Sequence, residues 1–493
     1  ALAGRQHEMR LHGSLLNSVL ADQQSQVMLV QGMAGMGKSR LLAEMVDFAQ
    51  QHFLCAVQVE IQDFGGDRHR AVCAALLKSL LDLHEVTPFW DQLVNQRVGH
   101  FGLQADQMLV CRELLAMSLG AEERLVLQAM GHAARAQFLV QLLATIVARM
   151  ALQRPMLIVV EDAHWASAST IETLARVMTA SHEAQVLWVL SGRVEEPQRL
   201  ADLQRMIPDV AVTSLSLAPL RPHEVKDLLH QFDHVDEAWR HQCIQRAQGH
   251  PLFLTQLLMA DRHECLPDNF QHLLQVRLDE VSPQDRHALR LAAVLGQSFS
   301  TADIHALMPV PGYQLDALVQ HCFLRHLDGD RFDFLHALIR QGIYEALPVR
   351  QREAMHVQMA QHFEACDTAL AAQHLHKARQ ARAPAALLSA AQARHEDFDH
   401  EAALSLLLMY GGIDYAPRDE QAYAMLLGDV HAKMGSMPQA RKAYELAVVK
   451  AEDEVTRLMA KVALAGVLNV LEDLAAEEAL IDEALPQAEA VGA

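Results

Sequence analysis

The chain has 493 residues, 51% of them apolar and 21% charged, and a formal net charge of -20 at pH 7. That length accommodates roughly three or four domains with sizeable cores. The acidic excess argues against a nucleic-acid surface on this segment, because a polyanion is held by clustered Lys and Arg. In chain order, the apolar runs VMLVQ (27–31), LCAVQVEI (54–61), MLIVVED (156–162), QVLWVLSG (185–192) and VTSLSL (212–217) predict strands. Segments of helical period alternate with them, which implies a parallel sheet with helices on both faces. The long gap at 62–155 predicts several helices, among them RAVCAALLKSLLDL and ARAQFLVQLLATIVARM. The most apolar stretch, 138–152, is interrupted by Gln141 and Arg149, so no membrane span is predicted.

From Leu220 onward strand signals nearly vanish. Short helices punctuated by Pro and Gly follow: RPHEVKDLLHQF, EAWRHQCIQRAQGHP, LFLTQLLMA and NFQHLLQVRLDEVSPQDRHALRLAAVLG. Beyond Arg350 the pattern is all helical and repeats. There Leu427, Gly428, Ala440, Tyr444 and Ala447 fall on the tetratricopeptide template of about 34 residues, whose small and aromatic positions let two helices cross closely. Flanking segments read as degenerate copies. Such a solenoid offers a concave surface and no catalytic machinery.

Seven cysteines (Cys55, Cys73, Cys111, Cys243, Cys265, Cys322 and Cys366) are scattered, odd in number and never spaced C-x-x-C, so they predict buried thiols in a reducing, cytoplasmic compartment. None of the 28 histidines forms H-E-x-x-H, and HLHKARQAR around His374 reads as a solvated face. No secretory signal pattern is present. The chain opens at Ala1 without a methionine and stops at Ala493 inside a helical pattern, which predicts a piece of something longer.

The chemistry lies in VMLVQGMAGMGKSRLLAEMV (27–46). Gly32, Gly37, Lys38 and Ser39 fit G-x-x-x-x-G-K-[ST], with an apolar strand before and an amphipathic helix after. Gly32, Gly35 and Gly37 allow the backbone N–H groups to turn inward as an anion nest, which the positive end of the helix dipole reinforces. Lys38, read as a solvent-facing ammonium, would set a charge between the β- and γ-phosphates, and the Ser39 hydroxyl is the expected Mg²⁺ ligand. The predicted cofactors are therefore ATP/ADP and Mg²⁺. The third strand ends in Glu161 and Asp162, two acids that suit a metal-side carboxylate and one that orients the attacking water. Glu161 occupies the ordinary metal-side position and Asp162 the water-orienting one, but the assignment stays open at this point, and both enter the metal set with Ser39.

With these residues in hand, VVEDAHWASAST, GRQHEM near the start, LSGR closing the fourth strand, LAPLRPHEV after the fifth and AQGHPLFL beyond resemble the signal-transduction ATPases with numerous domains, the STAND class, relatives of the NLR immune receptors. The resemblance runs across nearly the whole chain. It implies an α/β P-loop nucleotide-binding domain at 1–219, a helical domain at 220–266, a winged-helix domain at 267–349 and an α-solenoid of tetratricopeptide-like repeats, a truncated sensor array, at 350–493. It also implies that Arg193 senses the γ-phosphate, that Pro251 in Gly249-His250-Pro251 packs on the adenine, and that His336 in FLHALI contacts the β-phosphate of ADP. Arg5 and Arg40 join the cofactor-binding set on the same basis. Ala337 departs from the family pattern, which has Asp after that histidine.

The reading implied by the resemblance is a slow ATPase serving as a switch. ADP holds the modules closed, and a protein or small-molecule ligand on the repeats permits exchange to ATP, opening and self-association. A fast AAA+-like remodelling ATPase is disfavoured because no second arginine motif is identifiable. An ATPase module of a DNA-binding transcriptional regulator, to which a winged helix could belong, is opposed by the net charge.

Overall fold

The computed structural model describes residues 4–61, 68–83, 89–232, 235–259, 270–308, 310, 312–327, 330–416 and 418–491. The chain divides into two compact units, the first comprising residues up to 120 and 137–347, the second residues 121–136 and those from 348 onward.

In the first unit, five strands, β1 (Gln26–Gly32), β2 (Cys55–Glu60), β3 (Met156–Glu161), β4 (Val186–Gly192) and β5 (Ala211–Leu217), form one parallel sheet in the order β2-β3-β4-β1-β5. Every residue of β3 and β4 is buried. Helices cover both faces, so these central strands are continuous apolar runs rather than alternating ones. Each fully buried Leu, Ile or Val contributes on the order of 1.5–3 kcal/mol of transfer free energy. In this order β1 and β3 flank β4. The loops leaving all three therefore open at one carboxyl edge, where α/β sheets bind ligands. Among the described residues the connection from β2 to β3 contains five helices, Arg68–Leu80, Trp90–Val98, Ala105–Leu114, Ala121–Ala129 and His132–Gln153.

Three helices follow β5: Pro222–Leu229, Glu237–Ala247 and Pro251–Met259. Gly249, in the turn before the last of them, has φ +80°, and a Cβ there would lie 2.4 Å from the Leu220 carbonyl. The absent side chain lets the Leu220 N–H donate to the Gly249 carbonyl at 2.8 Å and pins the turn to the chain that leaves β5. The remainder of this unit carries helices Phe270–Glu280, Pro283–Leu295, Thr301–Leu307, Asp316–Gln320 and Ala337–Ala346. With them runs an antiparallel sheet in the order β6-β8-β7, made of β6 (Ser298–Ser300), β7 (Leu324–His326) and β8 (Arg331–Phe334). Strand structure beyond Leu220 thus exceeds the expectation. Runs of three or four residues are too short to display a period of two.

The second unit stacks antiparallel helices: Val349–Phe363, Thr368–Lys377, Ala383–Glu396, His400–Gly411, Glu420–Lys433, Met437–Lys450, Glu454–Val470 and Leu474–Val491. The tetratricopeptide positions behave as expected. Ala440 and Ala447 are wholly buried, and a Cβ on Gly428 would stand 2.4 Å from Cε1 of Tyr444, so only glycine admits that ring. Residues 121–136 belong to this unit, with the Arg135 guanidinium 5.5 Å from the centre of the Phe398 ring.

Two sequence readings are corrected, on His374 and on the cysteines. His374 is wholly buried, its Nδ1 2.8 Å from Nδ1 of His356, where a solvated face was expected. A solenoid helix packs against neighbours on more than one side, so polar letters do not mark a free face. Of the cysteines, Cys73, Cys111 and Cys243 are buried, Cys55 and Cys322 half-buried, and Cys366 exposed; all six are free, and Cys265 lies outside the described residues. Helix His132–Gln153 is long and apolar enough to cross a membrane by length and composition alone. Its buried residues Leu139, Leu142, Leu143, Ile146 and Val147 are those of a core helix.

Several histidines serve as core side chains. His12, on helix Gln6–Asp22, is 0% exposed, packs edge-on to Phe48 at 5.7 Å and has no hydrogen-bond partner at either ring nitrogen among the described residues. Burial lowers its pKa to about 4. The unfolded chain therefore takes up this proton near pH 6.5 while the folded chain resists until about pH 4, so the stability it contributes is complete above pH 6.5 and falls away between those values. His12→Leu is expected to remove about 2 kcal/mol of the stability difference between pH 7 and pH 5, read from urea unfolding at the two pH values.

Candidate nucleotide-binding site

β1 delivers Gly32, and helix Lys38–Gln51 begins six residues later. Between them Gly35 and Gly37 sit at φ +79° and +87°, a region L side chains rarely adopt. The carbonyls of this turn are engaged in succession. Lys38 Nζ donates to Gly32 O at 2.8 Å and Met33 O at 3.1 Å, and His250 Nε2 lies 3.1 Å from Ala34 O. The Leu252 N–H reaches Gly35 O at 3.3 Å, and Arg5 Nη2 reaches Met36 O at 3.2 Å. These bonds fix the path of the backbone through the glycine-rich turn, the segment that an anion nest requires. A Cβ on Gly37 would meet nothing within 4 Å, so there is open space against the backbone where a phosphate would approach. The turn fits the group that the motif implies.

Lys38 is 8% exposed, not the solvent-facing ammonium expected from sequence. Its burial lowers the pKa. Asp162 opposes that shift and the Arg193 charge adds to it. Ser39, in the first helical turn, is exposed and hydrogen-bonds to Glu161, which also accepts from Gln58 Nε2. Glu161 is buried at the end of β3, and burial raises its pKa against the pull of those two hydrogen bonds. Asp162 leaves the strand in a left-handed conformation, φ 53°, fixed by its N–H donating to Ser191 Oγ at 3.0 Å. Burial raises the Asp162 pKa too, while Lys38 and Arg193 draw it back. Arg193 directly follows β4, its guanidinium 5.3 Å from the centre of the Trp165 ring.

Lys38, Ser39, Glu161, Asp162 and Arg193 are thus gathered at one sheet edge. Among the described residues no group of three or more His, Cys, Asp or Glu side chains forms a protein-only metal cage. A P-loop Mg²⁺ needs none, since it is held by one hydroxyl, phosphate oxygens and waters beside carboxylates. The other sequence candidates lie around this centre. Arg5 is buried, and besides Met36 O its guanidinium binds Glu8 at 3.1 Å and Ala218 O at 2.7 Å, which makes it a brace of the loop. Arg40 is exposed and pairs with Glu44 at 3.8 Å on the outer side of its helix. Pro251 opens helix Pro251–Met259, adjacent to the His250 and Leu252 that hold the loop. His336 caps helix Ala337–Ala346 through its carbonyl, which accepts from the Ile339 N–H at 2.9 Å, and its side chain takes no part in capping.

Sequence reasoning missed Arg325, Glu60, Gln58 and His250. Arg325 on β7 grips the buried Asp333 through Nη2 at 2.6 Å and Nε at 3.0 Å, and its Nη2 lies 3.7 Å from Glu60 Oε2 at the end of β2. Glu60 stands opposite Glu161 in the strand register, and a charged residue ending an apolar strand was the available signal. Burial, then Asp333 and Glu161, push its pKa up to about 7, with Arg325 opposing. His336, beside Arg325, is exposed at its surface, and desolvation together with the arginine charge lowers its pKa to about 4.

This arrangement is that of a P-loop phosphate site. Residues 1–189 match the family model of the AAA ATPase domain. The chain is similar to the crystal structure of a Signal Transduction ATPase with Numerous Domains (STAND) protein with a tetratricopeptide repeat sensor from Pyrococcus horikoshii, with TM-score 0.54 and 14% identity over 97% of this chain and 64% of that one. It is also 25% identical over 398 residues to an uncharacterized protein of Rhizobium meliloti (strain 1021), covering 72% of this chain and 36% of that protein. The chain thus spans about a third of the length of the curated relative it matches. The Aeropyrum pernix ORC1 protein in complex with DNA matches at TM-score 0.33, too low to carry an argument. Residues 1–189 are thus similar to the AAA ATPase domain, and the chain has the fold of a STAND-class P-loop ATPase with tetratricopeptide-like repeats.

A Cβ on Gly35 would meet His250 Cε1 at 2.5 Å and Leu252 at 3.1 Å, whereas one on Gly37 would meet nothing. Gly35→Ala is expected to cost about 1–3 kcal/mol through overpacking added to backbone strain, and Gly37→Ala the strain of about 1 kcal/mol alone. Thermal unfolding of the two variants side by side measures the difference.

Proposed function

We propose that the protein is an ATP/ADP-dependent signal-transduction switch in the cytoplasm. In this reading the repeats bind a protein or small-molecule ligand, nucleotide exchange follows, and the chain opens and self-associates to activate an effector. One observation carries it: groups from three modules converge on the loop after β1 and the ends of β2 and β3. His250 and Leu252 of the helical module bond the loop backbone, and Arg325 of the antiparallel module reaches Glu60 with His336 beside it. A nucleotide bound there would contact all three, so its phosphate content would bias their arrangement through differential binding energy.

The roles follow from chemistry and position. The turn at Gly32, Gly35 and Gly37 binds phosphate through N–H groups, and Lys38 adds a buried positive charge. Ser39, with Glu161 behind it, would hold Mg²⁺, which when bound supplies charge neutralisation of the phosphates. Asp162 orients the attacking water and receives its proton, and Arg193 stabilises charge on the γ-phosphoryl oxygens. Arg5 secures the loop, Arg40 stands at the helix flank, and Pro251 packs on the adenine. His336 donates to the β-phosphate of ADP and holds the closed form. The overall reaction is ATP and water to ADP and phosphate, run slowly enough to act as a reset.

Lys38→Ala is expected to weaken both ATP and ADP binding by roughly 10- to 100-fold, the worth of a charged hydrogen bond, in equilibrium calorimetry. Unchanged affinity for both nucleotides would overturn the phosphate site. His336→Ala is expected to speed ADP release by about one to two orders of magnitude while ATP affinity holds, and to increase self-association without a stimulus. Stopped-flow release of a fluorescent ADP and light scattering read the two effects. ADP leaving the variant no faster than the parent removes His336 from the latch.

A further inference from the structure

The turn after β3 contains a side chain the preceding roles do not use. His164, in the 3₁₀ turn Ala163–Trp165, has a side chain with 0% exposure, and neither ring nitrogen has a hydrogen-bond partner among the described residues. A buried ring left unpaired costs stability, and an apolar side chain of similar size would not. Its surroundings leave it little freedom. The Trp165 ring lies against it at 4.7 Å between centres, and Gly192 passes close enough that a Cβ there would be 4.0 Å from the His164 Cβ. Asp162 Oδ1 stands 3.7 Å from His164 Nδ1.

The Asp162 backbone is anchored in its left-handed conformation by Ser191, but its carboxylate keeps partial exposure and can rotate. Closing 3.7 Å to hydrogen-bond length requires a shift of about half an ångström to one ångström. The geometry points to His164 as the positioning residue for Asp162, donating from Nδ1–H to Oδ1 when the carboxylate turns to hold the attacking water. This inference rests on the water-orienting role of Asp162 given above. A base oriented by a third group is the general arrangement for activating a nucleophile. The adjacent Trp165 serves the same edge from its other contact, beneath the Arg193 guanidinium.

The test combines rate, affinity and stability. His164→Leu is expected to lower kcat for ATP hydrolysis by roughly 10- to 100-fold, as loss of an outer-shell orienting bond does, with ATP affinity within about twofold and a melting temperature equal to or above the parent's. His164→Asn, whose amide N–H falls near the Nδ1 position, is expected to restore most of kcat. His164→Gln, which carries its N–H near the Nε2 position, is not. The double variant Asp162→Asn/His164→Leu should be no slower than Asp162→Asn alone, because the histidine acts through the aspartate. Parent kcat in His164→Leu, equal slowing in the Asn and Leu variants, or additive slowing in the double variant would each overturn the inference. If Asp162→Asn itself hydrolyses ATP at the parent rate, the role of Asp162 falls and the inference with it. Slow Asp162→Asn beside a fast His164→Leu removes His164 alone.

Discussion

The capture of five successive carbonyls, Gly32 to Met36, is the constraint on which the candidate nucleotide site depends. A glycine-rich turn is free to bend many ways, and glycine loses more entropy on ordering than any other residue. What selects one bend is the identity of the four donor residues. Lys38, which takes two of the carbonyls, comes from the helix that follows, Arg5 from the N-terminal segment, His250 from the turn after helix Glu237–Ala247 and Leu252 from the first turn of helix Pro251–Met259. The turn is therefore shaped by parts of the chain more than two hundred residues away as well as by its own sequence.

The acid side of the site obeys a different logic. Glu60, Glu161, Asp162 and Asp333 crowd together, and burial pushes each of them toward the protonated form. Local donors counter this: Ser39 and Gln58 for Glu161, Arg325 for Asp333, Lys38 and Arg193 for Asp162. A site with this many like charges in little solvent is poised to accept positive charge, since any cation near Glu161 relieves several repulsions at once.

Much of this was legible in the sequence, and for physical reasons. The five sheet strands stand where the apolar runs put them, because strands buried on both faces must be apolar at every position. The P-loop, Glu161, Asp162 and Arg193 are each local in sequence, and parallel topology brings their strand ends to one edge. The tetratricopeptide positions were legible because Gly428 and Tyr444 need each other sterically. Arg325 was not, since its meeting with Glu60 spans separate modules and no local pattern encodes it. The burial of Lys38 and His374 is not legible in the sequence, because residue type sets only average exposure and a buried amine or imidazole is tolerated when carbonyls or another ring accept it.

Gly249 has a reach beyond its own turn. Its missing side chain lets the chain leaving β5 lie against the turn that carries His250, next to Leu252 at the start of the following helix. In the proposed reading thermodynamic reciprocity then applies: whatever factor the docking of that turn contributes to phosphate affinity, bound phosphate would return in full to the docking. The glycine would thereby act as a coupling element, converting occupancy of the sheet edge into adhesion between neighbouring modules and converting strain between them into loss of ligand.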